Sequence, residues 1–220
     1  MLLLGIETLT PVSSVALWDG SVRARADVAR SRGHVEFLMS AIVDVCARAD
    51  AALRDVSGVV VGVGPGLFTG MRVGIATAKT IAQTLDVPIV GISSLDALAF
   101  PVRHSPKLIC ACIDARRSEY FAAMYRGTER VSDHAAWTLE ALTEELQGKD
   151  VLLTGEIPPG LEGEPIPAAP KADSLVEMAR MADAGPVAEI EPLYLRKTDA
   201  EIKWDTFGVT IERPLRVKIR

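Results

Sequence analysis

Aromatic side chains and cysteines are both scarce in this 220-residue chain. Phenylalanine, tryptophan and tyrosine make up 5% of the residues while 49% are hydrophobic, so we expect an aliphatic core. The three cysteines, Cys46, Cys110 and Cys112, are an odd number without regular spacing, which excludes a disulfide framework. The last two lie in the apolar run LICACI, which predicts a buried strand. Free thiols are typical of a reducing compartment, so we predict a cytoplasmic protein.

Histidine is equally rare, and its placement excludes several catalytic classes. The three histidines, His34, His104 and His134, are isolated from one another, so the chain has no HExxH or paired-histidine metal motif. No serine lies in a GxSxG nucleophile elbow. We therefore predict no metal site and no nucleophile of the GxSxG kind.

Long hydrophobic runs and positive charge are lacking as well. No apolar run reaches membrane-spanning length, and the opening MLLLGIE has neither the basic region nor the cleavage site of a signal peptide. The formal net charge is -5. An acidic chain binds nucleic acid poorly because that binding depends on Lys and Arg neutralising phosphates. We expect weak RNA binding by the chain alone, with a partner supplying most of the basic surface.

The apolar runs and turn signals predict an α/β protein. The chain opens as a three-stranded meander, because Asp19-Gly20 is a strong hairpin signal. Apolar spacing then predicts helices alternating with buried strands. The predicted strands span 2–7, 13–18, 22–28, 58–63, 88–92, 107–114, 119–125 and 150–154, and the predicted helices span 34–49, 71–85, 94–99, 138–147 and 172–182.

An internal similarity predicts two lobes. The run GIETLTPVSSVALW resembles CIDARRSEYFAAMY at an offset of 107 residues, and in each a strand ends in an acid, Glu7 or Asp114, before a turn and a second strand. Two short segments can match by chance, yet the offset is close to half the chain, as a duplicated lobe requires. The polar, proline-rich segment 101–106 marks the boundary. We predict lobes at 1–103 and 104–200, a loop at 156–170, and a C-terminal extension at 201–220 that forms an extra strand.

The loop 62–70 is the most distinctive element of the sequence. A strand, a glycine-rich turn and a helix together present backbone N–H groups to an anion. The loop matches neither a P-loop nor a dinucleotide fingerprint. Gly64, Gly66 and a helix N-cap at Thr69 predict a phosphate site, while a tight turn without a ligand fits the same residues equally well. In the second lobe, Arg116 and Arg117 beside Asp114 fit an anion site and a solvated turn equally well.

The helix predicted at 71–85 is apolar on most sides, with its strongly polar residues on one narrow stripe. A row of small residues at i, i+4 spacing permits another helix to approach closely. Both a central helix of the domain and a helix–helix contact between subunits fit this pattern. The subunit contact would involve Gly70, Met71, Arg72, Gly74, Ala78, Lys79 and Ala82.

Three stretches together resemble the TsaB (YeaZ) family: VVVGVGPGLFTGMRVGIATAKTIAQTLDVPIVGISSLDALA, DARRSEY and EPLYLRK. The resemblance runs in order over roughly residues 1 to 198. It implies an actin-like ATPase fold (ASKHA, RNase H-like) with two duplicated lobes, whose hairpin turns face phosphates in the cleft. It also implies a role in making threonylcarbamoyladenosine on tRNA, beside the catalytic paralogue TsaD and the ATPase TsaE. The chain would form a homodimer when alone and reach tRNA indirectly through the complex.

The same resemblance indicates what this chain has lost. The catalytic paralogue carries a metal-binding HxxxH motif just after the strand equivalent to 89–92, where this chain has Ser94 and Leu98. A hydroxyl and a leucine cannot replace two imidazoles, so the resemblance implies a scaffolding subunit without catalytic residues. The family's usual Asp-Thr-Ser after the first strand is Glu7-Thr8-Leu9 here. The candidate nucleotide- or phosphate-binding residues are Glu7, Thr8, Gly64, Gly66, Thr69, Asp114 and Arg116, with no intrinsic cofactor and with ATP or ADP at the partner interface.

Two other functional classes stay open. One is an ATP-dependent phosphotransferase or ATPase of the actin-like superfamily, which the short lobes and the lack of a clear adenosine loop disfavour. The other is a glycoprotease-like peptidase, a label historically attached to the wider family, which the missing metal and nucleophile arrangements disfavour. ATP turnover tests the first class, and cleavage of casein or a glycoprotein tests the second.

Overall fold

The structure, a computed structural model, describes residues 1–29, 34–181 and 186–196. Its strands are β1 (Leu3–Glu7), β2 (Val12–Trp18), β3 (Val22–Ala29), β4 (Gly58–Gly64), β5 (Ile89–Ser93), β6 (Leu108–Arg116), β7 (Glu119–Arg126), β8 (Glu129–Arg130), β9 (Ala135–Thr138), β10 (Val151–Gly155) and β11 (Glu164–Pro167). Its α-helices are α1 (His34–Arg48), α2 (Phe68–Leu85), α3 (Ser94–Ala99), α4 (Leu139–Leu146) and α5 (Ala172–Met178). The extra strand predicted at 201–220 lies outside the described residues.

Two mixed sheets repeat one topology. In the first, with strand order β3-β2-β1-β4-β5, β1 pairs antiparallel with β2 and parallel with β4, and β4 pairs parallel with β5. In the second, β6 pairs antiparallel with β7 and parallel with β10, and β10 pairs parallel with β11. Strand β9 lies on the far side of β7, as β3 lies beside β2. The order and direction of strands are therefore duplicated, and Glu7 and Asp114 lie near the ends of equivalent strands.

Helices cover the sheets and fill the space between them. The helices α1 and α2 pack on one face of the first sheet in an aliphatic core, and α4 covers the outer face of the second. The short helix α3 lies between the sheets, because Leu95 and Leu98 pack into the core of the second sheet while Ala97 packs behind the first. Within the described ranges, no helix is both long and apolar enough to cross a bilayer.

Three short strands depart from the predicted elements. Strand β11 lies inside the segment 156–170, where the predicted loop is wrong. Its sequence EPIP pairs parallel with β10 at the edge of the sheet, where proline is tolerated because one side of the strand needs no ladder bond. Strands β8 and β9 are too short to show a period-2 pattern, and they form by pairing with β7. Helix α5 ends at Met178, earlier than predicted, and a 3-10 turn follows.

Helix α5 packs on the first sheet, although it belongs to the second half of the chain. An ideal Cβ on Gly5 of β1 would lie 2.7 Å from the carbonyl oxygen of Ala172, so only a glycine lets the helix approach this closely. The backbone N–H of Ala172 donates to the Ser14 hydroxyl at 3.0 Å, and Ile190 joins the core of the first lobe. The lobe boundary at 103/104 stays a prediction, and parts of the range 104–200 stabilise the first lobe.

Helix α2 turns its small-residue row inward, against the end of β1. An ideal Cβ on Gly70 would lie 1.8 Å from the Thr8 carbonyl oxygen, and one on Gly74 would lie 2.4 Å from the Thr8 hydroxyl oxygen. The rest of the row is buried in the same lobe, and so is Met71. The prediction that this row admits a helix from another subunit is therefore wrong, because its space is already filled. The exposed side of α2 is the opposite one, and it carries Arg72.

Gly74→Leu is expected to destabilise the monomer by about 1–3 kcal/mol or more, because the new side chain must displace Thr8 and the end of β1. Urea denaturation measures the loss. Ala76→Leu, on the exposed side of the same helix, is the matched control and should shift stability by no more than about 0.5 kcal/mol. Equal unfolding midpoints for the two variants would contradict the inward orientation of the row.

Candidate functional site

Three chain turns meet at one edge of the first sheet. Strands β1, β4 and β5 are parallel, so their carboxyl ends open at the same edge. Glu7 ends β1, the glycine-rich loop follows β4, and Ser94 begins α3 directly after β5. Ligands of open α/β sheets bind outside the carboxyl ends of strands. This edge is therefore the candidate site, and it brings Glu7 and Thr8 close to the glycine-rich loop.

The Glu7 side chain points into the protein rather than into an open cleft. It is fully buried, and its Oε1 accepts a hydrogen bond from the Leu9 backbone N–H at 2.8 Å. Its Oε2 accepts from the Ser94 hydroxyl at 3.0 Å. Gly62 makes room for this carboxyl, since an ideal Cβ there would lie 2.2 Å from Oε2. The acid therefore links the end of β1 to α3 and packs against β4.

Burial also changes the charge of Glu7. Desolvation raises the pKa of this carboxyl to about 7, and the hydrogen bonds from Leu9, Ser94 and Thr8 oppose the rise only in part. Near neutral pH the group is therefore divided between its neutral and charged forms. Both carboxyl oxygens already accept hydrogen bonds inside the protein, so the geometry does not favour a phosphate contact at Glu7, and that role stays a prediction.

The glycine-rich loop is tied to the first hairpin turn. The Thr8 hydroxyl donates to the Gly70 carbonyl oxygen at 2.7 Å, and the Leu67 N–H donates to the Leu9 carbonyl oxygen at 2.6 Å. An ideal Cβ on Gly66 would lie 2.4 Å from that same Leu9 oxygen. Thr8 is fully buried. These groups already have partners inside the protein, so the structure favours the tight turn over the phosphate cradle.

The start of α2 differs from the predicted start. The helix begins at Phe68 with Leu67 as its N-cap, and no side chain caps it. Thr69 lies inside the first turn and is exposed, so the predicted N-cap at Thr69 is wrong. The sequence suggests Thr69 because threonine is a favoured cap, but the backbone bond from Leu67 to the hairpin turn sets the start earlier.

Residues 190–196, here called the C-terminal strap, lie over the remaining side of the loop. The Leu193 N–H donates to the Val63 carbonyl oxygen at 2.7 Å. An ideal Cβ on Gly64 would lie 2.9 Å from the Leu193 carbonyl oxygen. The strap therefore covers Gly64, which is buried, and of the predicted phosphate-binding residues in the first lobe only Thr69 is exposed.

The second lobe presents a tight, exposed turn after Asp114. Arg116, Arg117 and Ser118 all have positive φ values, of 64, 59 and 61°. The Asp114 Oδ1 accepts from the Arg116 backbone N–H at 2.7 Å, and its Oδ2 lies 3.0 Å from the Arg116 guanidinium. Glu156 accepts from the Asp114 N–H at 2.8 Å. Asp114 and Arg116 are thus brought together as an ion pair at the surface, and an anion site there stays a prediction.

One cluster between the lobes carries no signal in the sequence. Asp96 of α3 accepts a hydrogen bond from the Tyr125 hydroxyl at 2.7 Å and lies 2.9 Å from His134 Nε2. The Ser93 hydroxyl oxygen lies 3.2 Å from the same nitrogen. In a serine–histidine–aspartate triad the two ring nitrogens contact the serine and the aspartate separately. Here both oxygens face one nitrogen, so the cluster joins the lobes and does not form a triad.

No metal centre is formed by the residues that the structure describes. No group of three or more histidine, cysteine, aspartate or glutamate side chains is placed to hold a metal ion in those ranges. Ser94 is buried and bonded to Glu7, and Leu98 is buried in the core of the second sheet. The two positions aligned with the HxxxH motif therefore pack internally.

Two sheets of duplicated topology, each opening with a hairpin whose first strand carries an acid near its end, define the class of protein. The fold is the α/β fold of the actin-like ATPases, as predicted. The site at the sheet edge is filled by the chain's own side chains and backbone.

Comparison with known proteins assigns the family. The family model "TsaD: tRNA N6-adenosine threonylcarbamoyltransferase" matches residues 28–157. The chain is 31% identical to the tRNA threonylcarbamoyladenosine biosynthesis protein TsaB of Bacillus subtilis, over 93% of this chain and 98% of that protein. It is 33% identical to the protein of the same name from Escherichia coli, over 66% and 64%. The solved structure of YeaZ from Pseudomonas aeruginosa matches with a TM-score of 0.76 at 24% identity, over 88% and 100%. The chain belongs to the TsaB (YeaZ) family.

Glu7→Gln is expected to flatten the dependence of stability on pH. The unfolded carboxyl ionises near pH 4.5, whereas the folded one keeps its proton up to about 7. Between these values the folded state binds more protons, so stability falls by roughly 3 kcal/mol as pH rises and levels off above pH 7. Glutamine keeps an acceptor for Leu9 and a polar group for Ser94 without the charge.

Urea denaturation at about pH 5 and pH 8 measures this effect. The wild-type protein should lose more stability than the glutamine variant between the two conditions. The same loss in both proteins would show that Glu7 does not titrate in this range.

Proposed function

We propose that this chain is a non-catalytic, activating subunit of the complex that transfers a threonylcarbamoyl group to adenosine next to the anticodon of tRNA. Relatives that cover most of the chain are named for threonylcarbamoyladenosine biosynthesis, and the matching family model is that of the transferase TsaD. The chain would act in the cytoplasm beside TsaD as the catalytic partner and TsaE as the ATPase.

The filled sheet edge is the observation that carries this proposal. Ser94 and Leu98 stand where the resemblance places two metal-binding histidines in the catalytic paralogue, and both are buried. The Ser94 hydroxyl is bonded to Glu7, and the strap covers Gly64. The chain keeps the fold while its own residues occupy the places where a metal and a phosphate would bind. ATP or ADP would then bind at the partner interface rather than in this chain's cleft.

The partner surface that we propose is the outward side of α1 and α2. The two helices pack beside each other. Met39 and Val43 lie one turn apart on α1, with 49% and 65% of their surface exposed. Ala76 is exposed on α2, and Lys79 is partly exposed. This surface replaces the buried row as the contact with TsaD, and with a second copy of the chain when TsaD is absent.

The two rival functions find less support in the structure. A phosphotransferase or ATPase needs an open phosphate site, whereas Leu193 covers Gly64 and Glu7 is buried. A peptidase needs a nucleophile with a separate base, whereas Ser93 and Asp96 face one nitrogen of His134. ATP turnover or protein cleavage by the purified chain would favour those functions over the proposed one.

The purified chain should form no modified nucleoside when it is incubated with threonylcarbamoyl-adenylate and unmodified tRNA, because it holds no pair of metal-binding histidines. Adding TsaD and TsaE should start modification, and omitting this chain from that mixture should slow it. Nucleoside analysis by mass spectrometry measures the product. Product without TsaD would contradict the non-catalytic role, and an unchanged rate without this chain would contradict the activating role.

Val43→Asp is expected to weaken association with TsaD, and with a second copy of the chain, at least about tenfold, since a charge enters an apolar contact. Analytical ultracentrifugation measures both equilibria. Val131→Asp is the matched control, because Val131 is exposed to 46% in the other lobe. Equal association constants for the two variants would exclude the outward side of α1 as the partner surface.

A further inference from the structure

A row of arginine and aromatic side chains crosses the surface from the first lobe to the second. We call it the arginine–aromatic strip, and it consists of Phe68, Arg72, Tyr194, Arg196, Arg116 and Arg117. We propose that this strip binds single-stranded RNA directly, with a base stacked against Arg72 and Phe68 and backbone phosphates at the arginines of the second lobe. This inference deepens the proposed function, and it rests on that function because it takes RNA to be the substrate of the complex.

The first-lobe end of the strip is a stacking platform. The Arg72 guanidinium carbon lies 3.9 Å from the centre of the Phe68 ring, and its Nε donates to the Tyr194 hydroxyl at 3.2 Å. The rings of Phe68 and Tyr194 have their centroids 5.5 Å apart. Arg72 and Phe68 are exposed. Unpaired bases stack on aromatic rings and on guanidinium groups, so this arrangement matches the chemistry of a base.

The second-lobe end of the strip supplies positive charge from a strained turn. Arg116 and Arg117 both have positive φ, an unfavourable conformation for a residue with a Cβ, and both are exposed. Two consecutive arginines are thus held at the surface by a backbone that other residues must stabilise. Strained turns of this kind are retained mainly at functional sites.

The strap joins the two ends. Arg196 donates to Glu119 at 2.7 Å and lies 3.5 Å from the Arg116 carbonyl oxygen. Tyr194 is only two residues away, so its Cα is at most about 7 Å from that of Arg196. The segment that contacts Arg72 through Tyr194 therefore also contacts the Arg116 turn through Arg196, so one short stretch of chain links the stacking and the phosphate-binding chemistry.

The chemistry of the strip favours RNA over an acidic protein segment. Arg116 and Arg196 are paired with Asp114 and Glu119, so a carboxylate and an RNA phosphate would have to displace the same partners, and the stacking end of the strip decides between them. A base gains from stacking on Arg72 and Phe68 whatever the charge around it. The chain's net charge of -5 keeps this contact weak at physiological salt. The strip would then supplement the basic surface of a partner.

The test is a binding titration with the full-length protein and a fluorescently labelled single-stranded RNA of mixed sequence, about 15 nucleotides long. Fluorescence anisotropy is recorded from about 50 to about 200 mM salt. Phe68→Ala should weaken binding about fivefold or more through the lost stacking. Arg117→Glu should weaken binding and lower the salt dependence of log K by about 0.7 for each lost phosphate contact. Thermal melts of each variant accompany the titration.

Arg126→Glu is the matched control, since it makes the same change of charge at the opposite end of β7. Weaker RNA binding by Phe68→Ala and Arg117→Glu than by the control supports the strip. If only Arg117→Glu folds, weaker binding by that variant than by the control supports it as well. Equal binding by all variants, or no binding by the wild type at low salt, overturns it. Variants that keep RNA affinity but lose association with TsaD overturn it too, and assign the strip to a protein contact.

The RNA titration and the modification assay can fail independently of each other. RNA affinity is measured on this chain alone, whereas the modification assay needs TsaD. Loss of RNA binding in the strip variants supports the strip even if the modification assay fails. A strip without RNA affinity leaves the scaffold role untouched.

Discussion

The close approach of the first hairpin turn to the glycines of the β4–α2 segment is the constraint on which the first lobe depends. A Cβ on Gly66, Gly70 or Gly74 would lie within 2.4 Å of an atom of Thr8 or Leu9. The turn can therefore rest on α2 only while these positions lack side chains. The glycines serve packing, and the Leu67 N–H of the loop donates to the hairpin turn.

The same constraint explains the unusual first hairpin. Glutamate at position 7 is long enough to turn inward and meet Ser94, and Leu9 is fully buried. A shorter aspartate would not reach the same partner as easily, and a serine hydroxyl in place of Leu9 would need a bond of its own. Glu7 and Leu9, where this chain departs from the family's Asp-Thr-Ser, are thus two of the residues that fill the sheet edge.

Among the described residues, several contacts join the two lobes. Helix α3 packs on both sheets, Asp96 binds Tyr125 across the gap, and Arg196 of the strap binds Glu119. Enzymes that close around a ligand by domain motion need an interface that can open. These contacts oppose such motion between the lobes.

The sequence by itself determined the order of the main elements, the opening meander, the duplication and the family, because these depend on local periodicity and on matching residues along the chain. It left open whether the row of Gly74 faces the protein or a partner, since the spacing is the same in both cases. It carried no signal for β11, for the burial of Glu7, or for the contact of Asp96 with His134. Only the tertiary structure decided these, because each depends on a residue distant in the chain that fills the space, removes the water or supplies the hydrogen bond.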